Sequence, residues 1–433
     1  MKALQSRQIS IHILHAMPKG NIGTIAAQRA LFKLLMDNNI DLSVSTPNPD
    51  VFKLTHPESR GMKVYGPLTP SIDDITIHNY LQWVVLTAFN LILFTFMALL
   101  IQIGVKVPSK NGVIERIRRC DALIDLNLEL LRGVPISISP ALIRRQPKVL
   151  VIHKFFWSFR IFQNLWFLLV IKGIFKKKLI AGPASFGPFN NLPIVIRWLT
   201  RIILSRFVDL VLVREPYSAE LLDKLGVKNY QVVADMAILV STGKSSHLPI
   251  PFKPAIGVAP AMLKYTLTKE EVENYVVAHA KCLDELSAQH EEIVFLPSSS
   301  DDIVMSQMIM ARMKNKHTKI IITDDVDEYE SLVRRLKLLI TTRMHPSIIA
   351  ARNFVPFISI IYDHKQVGFL LQTRLMVLSI PLDKISYDNL KLKISEVIQN
   401  YNNVKETLKS TVSRLQDMQT TKLLHSILNL IRK

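Results

Sequence analysis

Short apolar runs alternate with amphipathic stretches along most of the chain, and this alternation predicts strands that are each followed by a helix. The first run, residues 9–14, leads into a turn of Pro, Gly and Asn over 18–23, and helical periodicity follows over 24–36. Residues 42–45 are predicted to form the second strand, which completes a βαβ opening. Alternation of this kind is typical of a parallel sheet covered by helices.

The same pattern continues through the chain in two blocks. Further strands of the first block are predicted at 122–125, 149–153, 179–181, 210–213 and 231–233. Strands of the second block are predicted at 255–258, 293–296, 320–323, 338–341 and 357–361. The sequence STGKSSHLPIPFKP between the blocks is rich in Ser, Pro and Lys, which indicates a linker.

These blocks predict the domain organisation. We expect an N-terminal domain over 1–240, a linker over 241–254, a C-terminal domain over 255–386 and a helical tail over 387–433. With 433 residues, the chain is long enough to bury a core in each of two ordinary domains. The predicted fold class is therefore α/β, with two Rossmann-like domains of similar size that face each other across a cleft.

Two apolar segments, predicted to be helices near 78–105 and 155–175, form an insertion in the N-terminal domain. The first lacks any acid, Lys or Arg over 75–105, which is long enough for a bilayer span of about 20 residues. A single span is excluded, because it would place strands of one sheet on opposite sides of the membrane. Three alternatives stay open: helices in the membrane interface, two spans that return the chain to the same side, and burial in the core or in a dimer contact.

Charge and composition narrow the choice of partners. The formal charge of +19 is consistent with nucleic acid, anionic lipid or an anionic substrate as partner, or with a basic surface that only aids solubility. No zinc-finger spacing, RNP-like motif or dense basic tail occurs, so no nucleic-acid partner is expected. The mean hydropathy of +0.23 is high, and together with the apolar segments it favours an anionic membrane surface. The two cysteines, Cys120 and Cys282, are far apart and no metal-ligand spacing occurs, so we expect no metal and a reducing compartment. The expected location is cytoplasmic, at the inner face of the cell membrane, and nothing in the sequence predicts an oligomeric state.

Polar residues follow several predicted strands, at the carboxyl ends where open α/β sheets bind ligands. The turn after the first strand runs into a helix, so backbone N–H groups around Asn21 and Gly23 can bind an anion or a sugar oxygen, or form an ordinary βα turn. Ser185 lies in the Gly/Pro/Ser loop GPASFGPF. Arg214 and Asp235 follow the next two strands.

The motif that indicates a ligand site most specifically is ITTRMHPS, residues 340–347, at a predicted strand end and helix start. The guanidinium of Arg343 suits bidentate binding of a carboxylate or phosphate, and His345 beside it can donate or accept a proton near neutral pH. A helix-capping loop with an incidental histidine is the alternative. Lys365 follows the next strand and would add positive charge to an anion site, and Ser298 and Ser299 follow the strand predicted at 293–296.

The order of these motifs resembles the polysaccharide pyruvyl transferase family over most of the chain. The matching segments are GNIG, GPASFGPF, LVREPYSAELLDKLGV, VVADMA, FLPSSS and TTRMHPSIIAARNFVPFISIIYDHK. The last segment is the most specific, because it is similar to the family's arginine–x–histidine turn and the strand after it. The resemblance implies a fold like that of the B-type glycosyltransferases (GT-B). It also implies transfer of the enolpyruvyl unit of phosphoenolpyruvate to sugar hydroxyls, which gives a pyruvate ketal and phosphate.

By this resemblance, Arg343 and Arg214 hold the carboxylate and phosphate of phosphoenolpyruvate, and His345 is the general acid. Phosphoenolpyruvate is then the donor substrate, no cofactor is required, and the acceptor is a glycan or a lipid-linked sugar. The chain departs from the family pattern at Thr24, where an aspartate often follows the first turn, and over 125–130, which lacks glycines. Two other functions stay open: a nucleotide-sugar-dependent glycosyltransferase of the same architecture, and a non-catalytic relative at the membrane surface.

Overall fold

The computed structural model describes most of the chain. The described residues are 8–18, 21–66, 80–103, 105, 112–126, 147–190, 192–239, 254–263, 267–315 and 318–432. The predicted linker, apart from residue 254, lies outside them, and so do residues 127–130 of the second departure from the family pattern.

Seven parallel strands form the sheet of the N-terminal domain. They are β1 (Ser10–Leu14), β2 (Asp41–Ser45), β3 (Lys63–Tyr65), β4 (Ala122–Asp125), β5 (Lys178–Ala184), β6 (Leu210–Val213) and β7 (Tyr230–Val232). Their order across the sheet is β3-β2-β1-β4-β5-β6-β7. The strand order reverses between β1 and β4, and such a switch point is where open α/β sheets bind ligands.

Six parallel strands form the sheet of the C-terminal domain. They are β8 (Ala255–Ala259), β9 (Ile293–Phe295), β10 (Lys319–Ile320), β11 (Leu336–Thr341), β12 (Phe357–Ile361) and β13 (Ser379–Pro381). Their order is β10-β9-β8-β11-β12-β13, so the switch point of this sheet lies between β8 and β11.

Helices connect the strands of both sheets and form the tail. Those of the N-terminal domain are α1 (Ile22–Asp37), α2 (Pro49–Thr55), α3 (Tyr80–Gln102), α4 (Val113–Arg119), α5 (Pro147–Val170), α6 (Ile194–Arg206) and α7 (Pro216–Leu225). Those of the C-terminal domain are α8 (Lys269–Ala288), α9 (Ser300–Arg312), α10 (Val326–Arg334), α11 (Met344–Arg352) and α12 (His364–Thr373). The tail contains α13 (Tyr387–Gln399), α14 (Tyr401–Met418) and α15 (Leu424–Arg432).

The structure has the two successive parallel sheets that the alternating pattern predicts, but one predicted strand is wrong. Residues 149–153, predicted to be a strand from their apolar and β-branched content, lie in the first turns of α5. Pro147 stands at the first helical position, where its missing N–H has no cost. The apolar run continues from there into 155–175 without a turn signal, so a single long helix contains both segments. The strands β3 and β13 have three residues each, which is too short for a periodic signal.

The apolar helices α3 and α5 pack together on the N-terminal sheet. Phe94 of α3 is buried in the same core as Leu168 of α5 and Leu179 of β5. A second apolar stripe, on α3 and the turn that follows it, faces outward, with side chains 51–75% exposed: Phe89, Ile92, Phe96, Leu99 and Ile103. Among the described residues, one helical stretch, Ser158–Phe175, is long and apolar enough to cross a membrane, and half of it is buried inside the protein.

The C-terminal tail crosses from the second domain back to the first. The side-chain amide of Gln419 is fully buried and exchanges two hydrogen bonds of 2.7 Å with the backbone N–H and C=O of Ala234. Beyond it, Leu423 and Ile427 are buried in the core around β1 and β2. The tail therefore completes the N-terminal core and ties the two domains together.

Replacing Ile427 by alanine tests this connection. Because Ile427 is fully buried, Ile427→Ala is expected to lower the free energy of unfolding by about 2–5 kcal/mol, measured by urea denaturation. The matched control is Ile398→Ala on α13, where the isoleucine is 48% exposed, and a change within about 0.5 kcal/mol is expected. Equal effects of the two substitutions would contradict the docking of the tail on the N-terminal domain.

Candidate active site

The first turn of the N-terminal domain lies directly against the C-terminal domain. Oδ1 of Asn21 caps α1 by accepting hydrogen bonds from the N–H groups of Gly23 and the next residue, at 2.9 and 3.3 Å. The N–H of Ile22 donates to the carbonyl oxygen of Ser298 in the other domain, at 3.3 Å. A Cβ on Gly23 would stand 1.9 Å from both Cβ and Cγ of His345. Only glycine fits at position 23, so the start of α1 and the TTRMHPS motif meet in space.

Arg214, at the end of β6, is the centre of a buried polar network. Its side chain is 7% exposed; Nε donates to Oγ of Ser185 at 2.7 Å, and Nη1 donates to Oδ2 of Asp235 at 2.9 Å. Asp235 Oδ2 also lies 3.8 Å from Nε2 of His345, which links the network to the C-terminal domain. The sequence motifs predict all four residues as ligand-binding or catalytic, and the structure joins them in one series of contacts.

Glu215, which is not among the residues predicted from the sequence, completes this network. It accepts hydrogen bonds from Ser218 and, at 3.1 Å, from Ser185, and it lies 3.6 Å from Nε of Arg214. Burial raises the pKa of Glu215, although Arg214, the two serines and the positive charge of Lys365 oppose the rise. Its place directly after Arg214 at a strand end is the signal that marks it in the sequence.

Lys365 reaches the same region from the C-terminal domain. It lies in the first turn of α12, where its N–H donates to Oδ1 of Asp363 at 3.2 Å. A Cβ on Gly368 of the same helix would stand 2.3 Å from Cγ of Glu215. The helix therefore packs directly over the buried carboxyl group and places Lys365 close enough to influence its charge.

Arg343 is held by a buried carboxylate that the sequence motifs do not reveal. Nε and Nη2 of Arg343 donate to Asp302 over distances of 2.6–3.2 Å, and Nη1 donates to the Tyr362 hydroxyl at 3.3 Å. Asp302 is fully buried and also accepts a hydrogen bond from Oγ of Ser298 at 3.3 Å. The strands that precede Asp302 and Arg343, β9 and β11, both flank β8. Only the sheet topology brings these two side chains together.

The predicted residues thus fall into two neighbouring groups. The first group lies at the contact between the domains and contains Asn21, Gly23, Ser185, Arg214, Asp235, His345 and Lys365. The second group surrounds Asp302 and contains Ser298 and Arg343, with Ser299 beside them as the N-cap residue of α9. The backbone bond from Ile22 to Ser298 joins the two groups.

Metal ligands and cysteine nucleophiles would be further sources of chemistry in the part of the chain that the structure describes. Among the residues that the structure describes, no group of three or more His, Cys, Asp or Glu side chains is placed to hold a metal ion. Burial raises the pKa of Cys120 to about 11 and that of Cys282 to about 12, so both thiols stay protonated near neutral pH. The two clusters themselves supply arginine, histidine, lysine and carboxylate side chains.

Solved structures with the same architecture define the class of protein. The UDP-GlcNAc 2-epimerase of Neisseria meningitidis, bound to UDP-GlcNAc, has a TM-score of 0.60 at 10% identity, over 98% of this chain and all of that chain. A glycosyltransferase from Rickettsia africae has a TM-score of 0.56 at 11% identity, over 99% of this chain and 100% of that one. At these identities the likeness concerns the fold alone. It confirms the predicted α/β fold class of two Rossmann-like domains in a GT-B-like arrangement.

Within this class, the sequence places the chain in one family. The family model for polysaccharide pyruvyl transferases matches residues 144–364, just over half of the chain. The amylovoran biosynthesis protein AmsJ of Erwinia amylovora is 24% identical over 255 residues, which cover 53% of this chain and 60% of AmsJ. The match therefore spans less than two thirds of the length of that relative. The chain belongs to the polysaccharide pyruvyl transferase family, as its motifs predict.

Gly23→Ala tests the contact between the first turn and His345. Because the added Cβ overlaps the histidine side chain, the free energy of unfolding is expected to fall by about 1–3 kcal/mol, measured by chemical denaturation. The control is Gly173→Ala, where an added Cβ meets nothing within 4 Å, and no loss is expected. Combining Gly23→Ala with His345→Gly should recover most of the stability, because the overlapping atoms are then absent. Additive losses in the double variant would show that the two residues do not touch.

Proposed function

We propose that this protein transfers the enolpyruvyl group of phosphoenolpyruvate to hydroxyls of a cell-surface or lipid-linked glycan and forms a pyruvate ketal. The observation that carries the proposal is the series of contacts from Ser185 through Arg214 and Asp235 to His345. It joins both domains at the carboxyl edges of their sheets, where folds of this class bind ligands. Membership of the pyruvyl transferase family supports the same chemistry.

The charges in the cleft suit a small polyanion. Phosphoenolpyruvate carries a carboxylate and a phosphate, and Arg214, Arg343 and Lys365 supply positive charge. Each arginine is clamped on one side by a carboxylate, Asp235 or Asp302, so its guanidinium plane is fixed before the substrate arrives. Fixed charges in a site with little water stabilise a developing negative charge more than mobile charges do.

His345 is the proposed general acid. Its Nε2 lies 3.8 Å from Oδ2 of Asp235, and this carboxylate provides a counter-charge for the protonated ring. Proton transfer to the methylene carbon of phosphoenolpyruvate makes C2 electrophilic, and an acceptor hydroxyl adds there. Phosphate then leaves, and a second hydroxyl closes the ketal. Arg214 and Arg343 would stabilise the departing phosphate.

A glycosyltransferase that uses a nucleotide sugar is the second candidate. Its support is the shared fold, since Anabaena HepE, solved in complex with UDP, has a TM-score of 0.55 at 11% identity. Pyruvyl transfer is preferred because Arg214, Arg343 and His345 all lie in the range that matches the family. A non-catalytic relative is a third candidate, because the first turn of α1 has Thr24 and no acidic residue.

Phosphate release from phosphoenolpyruvate, with and without a glycan extract from the source cells, tests the proposed reaction. We expect acceptor-dependent release by the wild type and a fall of about 10²–10⁴-fold in kcat for His345→Ala, the range for loss of a general acid.

The variant Arg214→Lys tests donor binding. It keeps the charge but loses the planar fork, so phosphoenolpyruvate should no longer raise the melting temperature.

The control for these variants is His425→Ala on α15, where the histidine is exposed, and wild-type turnover is expected. No release by the wild type, together with stabilisation by a nucleotide sugar, would replace pyruvyl transfer with the glycosyltransferase. No response to either donor would favour the non-catalytic relative.

We further propose that the protein works at the inner face of the cell membrane, through helices α3 and α6. The exposed stripe of α3 repeats at helical spacing, from Phe89 to Ile103, and Ile194 and Trp198 of α6 are 72% and 58% exposed. Arg201 on the same helix is exposed beside Trp198. Apolar and tryptophan side chains next to arginine are typical of helices that lie in the membrane interface. A lipid-linked acceptor would then be presented at the surface where the enzyme binds.

Co-sedimentation with phosphatidylglycerol-containing vesicles tests the membrane surface. The triple variant Phe89→Ser, Ile92→Ser and Phe96→Ser is expected to lose most vesicle binding, because it removes three of the five side chains of the exposed stripe and leaves the buried face of α3 intact. The control substitutes serine for three exposed apolar residues of the C-terminal half, Leu371, Val377 and Leu392. Equal binding by both triple variants, or a wild type that stays in the supernatant, would contradict the proposal.

A further inference from the structure

A histidine–aspartate pair lies at the switch point of the N-terminal sheet, apart from the residues assigned to the donor. His15 directly follows β1, and Asp125 ends the neighbouring strand β4. Nδ1 of His15 is 2.9 Å from Oδ1 of Asp125. The side chain of His15 is 18% exposed, whereas that of Asp125 is fully buried. The carboxylate is therefore enclosed in the protein, and the imidazole reaches the surface.

The nearby His12 shows what a structural histidine looks like in this sheet. It is fully buried, and its two ring nitrogens lie 2.9 and 2.8 Å from the hydroxyls of Ser43 and Ser45. Burial lowers the pKa of His12 to about 3, so the ring stays neutral and cannot reach a ligand. His15 differs from His12 in two respects that bear on function. It has a carboxylate partner, and its side chain is partly exposed.

The backbone and the neighbouring helix fix the direction of the His15 ring. Its φ of 57° lies in the left-handed region, which few residues other than glycine adopt. The ring centroid is 5.0 Å from that of Phe167 on α5. The apolar helical layer therefore covers one side of the imidazole, while Asp125 holds Nδ1. These contacts define a single orientation for the ring.

The contacts also define which nitrogen can act as a base. An ionised carboxylate only accepts hydrogen bonds, so Nδ1 of the neutral ring donates to Asp125 and Nε2 carries the lone pair. A histidine oriented by a buried carboxylate in this way is suited to accept a proton from a hydroxyl group. The first turn of α1 carries no acidic residue that would do so instead.

The pair lies on the same edge of the sheet as the donor network. β4 pairs with β5, with Asp125 opposite Ala181, and Ser185 follows the end of β5. Neighbouring strands are about 4.8 Å apart, so β1 and β5 are separated by roughly 10 Å. An acceptor sugar placed between these strands would have His15 on one side and the Ser185 end of the donor network on the other.

We propose that His15 is the general base that activates the acceptor hydroxyl and that Asp125 positions it. This role rests on the proposed pyruvyl transfer and assigns the sugar-binding side of the same cleft. In the first step the hydroxyl oxygen bonds to C2 of phosphoenolpyruvate, its proton passes to Nε2 of His15, and C3 takes a proton from the donor side. The bond from C2 to the phosphate oxygen then breaks, and the second hydroxyl closes the ketal. Of the two hydroxyl protons, one balances the proton gained by C3 and the other leaves with phosphate.

The variant His15→Gly tests the base directly. Glycine adopts positive φ without strain and leaves a space for an imidazole molecule. In the phosphate-release assay with the glycan extract, kcat is expected to fall at least about 100-fold. The rise in melting temperature with phosphoenolpyruvate should stay as in the wild type, because the donor side is unchanged. Added imidazole should restore part of the turnover, whereas it should have no effect on His425→Ala.

The variant Asp125→Asn tests the positioning role. It should lower kcat while the acceptor KM and the stabilisation by phosphoenolpyruvate stay unchanged, since an amide no longer fixes the tautomer of His15.

The possible failures are distinguishable. Near-wild-type turnover of His15→Gly would overturn the base and leave the proposed function intact. Loss of turnover with intact donor binding but no recovery with imidazole would give His15 a structural role and also overturn the base. A wild type that releases no phosphate from phosphoenolpyruvate would remove the proposed function and, with it, the acceptor-side role of His15.

Discussion

The absence of a side chain at Gly23 is the constraint on which the arrangement of the two domains depends. It lets the start of α1 approach the His345 side chain more closely than any other residue would permit. Buried Arg352 adds a second contact between the domains, because it pairs with Glu330 at 2.5 Å and donates to the carbonyl of Ala237 at 2.8 Å. The cleft is thus defined by backbone approach and buried hydrogen bonds, and the candidate catalytic histidine stands at the point of contact.

Charge compensation is the second organising feature of the cleft. Leaving the buried Arg214 without a partner would cost several kcal/mol, roughly 3–5 by comparison with broken buried ion pairs, and the cost for Arg343 would be smaller because its side chain is 22% exposed. Both arginines predicted to bind the donor are therefore paired, Arg214 with Asp235 and Arg343 with Asp302. The pairing leaves their orientation fixed and their charge in part neutralised. An anionic ligand would be attracted to both guanidinium groups and to the further positive charge of Lys365.

Much of the fold follows from sequence, because parallel strands between helices leave a periodic pattern. The pattern misleads where context overrides it: residues 149–153 have strand-like composition, yet they continue into a long apolar helix. Residues at strand ends, such as Arg214 and His345, are found because their place along the chain marks them. Asp302 is not found, because its 41-residue separation from Arg343 is closed only by sheet topology. The pair of His15 and Asp125 is not predicted from the sequence for the same reason, since β1 and β4 become neighbours only at the switch point.

The crossing of the tail has a consequence for how the protein is made. Leu423 and Ile427 of the tail lie more than 400 residues beyond Ile11 and Ile13 of β1 in the chain, yet they share one core with them. In most multidomain chains the N-terminal domain folds first, while the rest is still being synthesised. Here the N-terminal domain lacks part of its core until the tail residues up to Ile427 have been synthesised. Folding of the N-terminal domain is therefore completed only after the C-terminal domain has been synthesised.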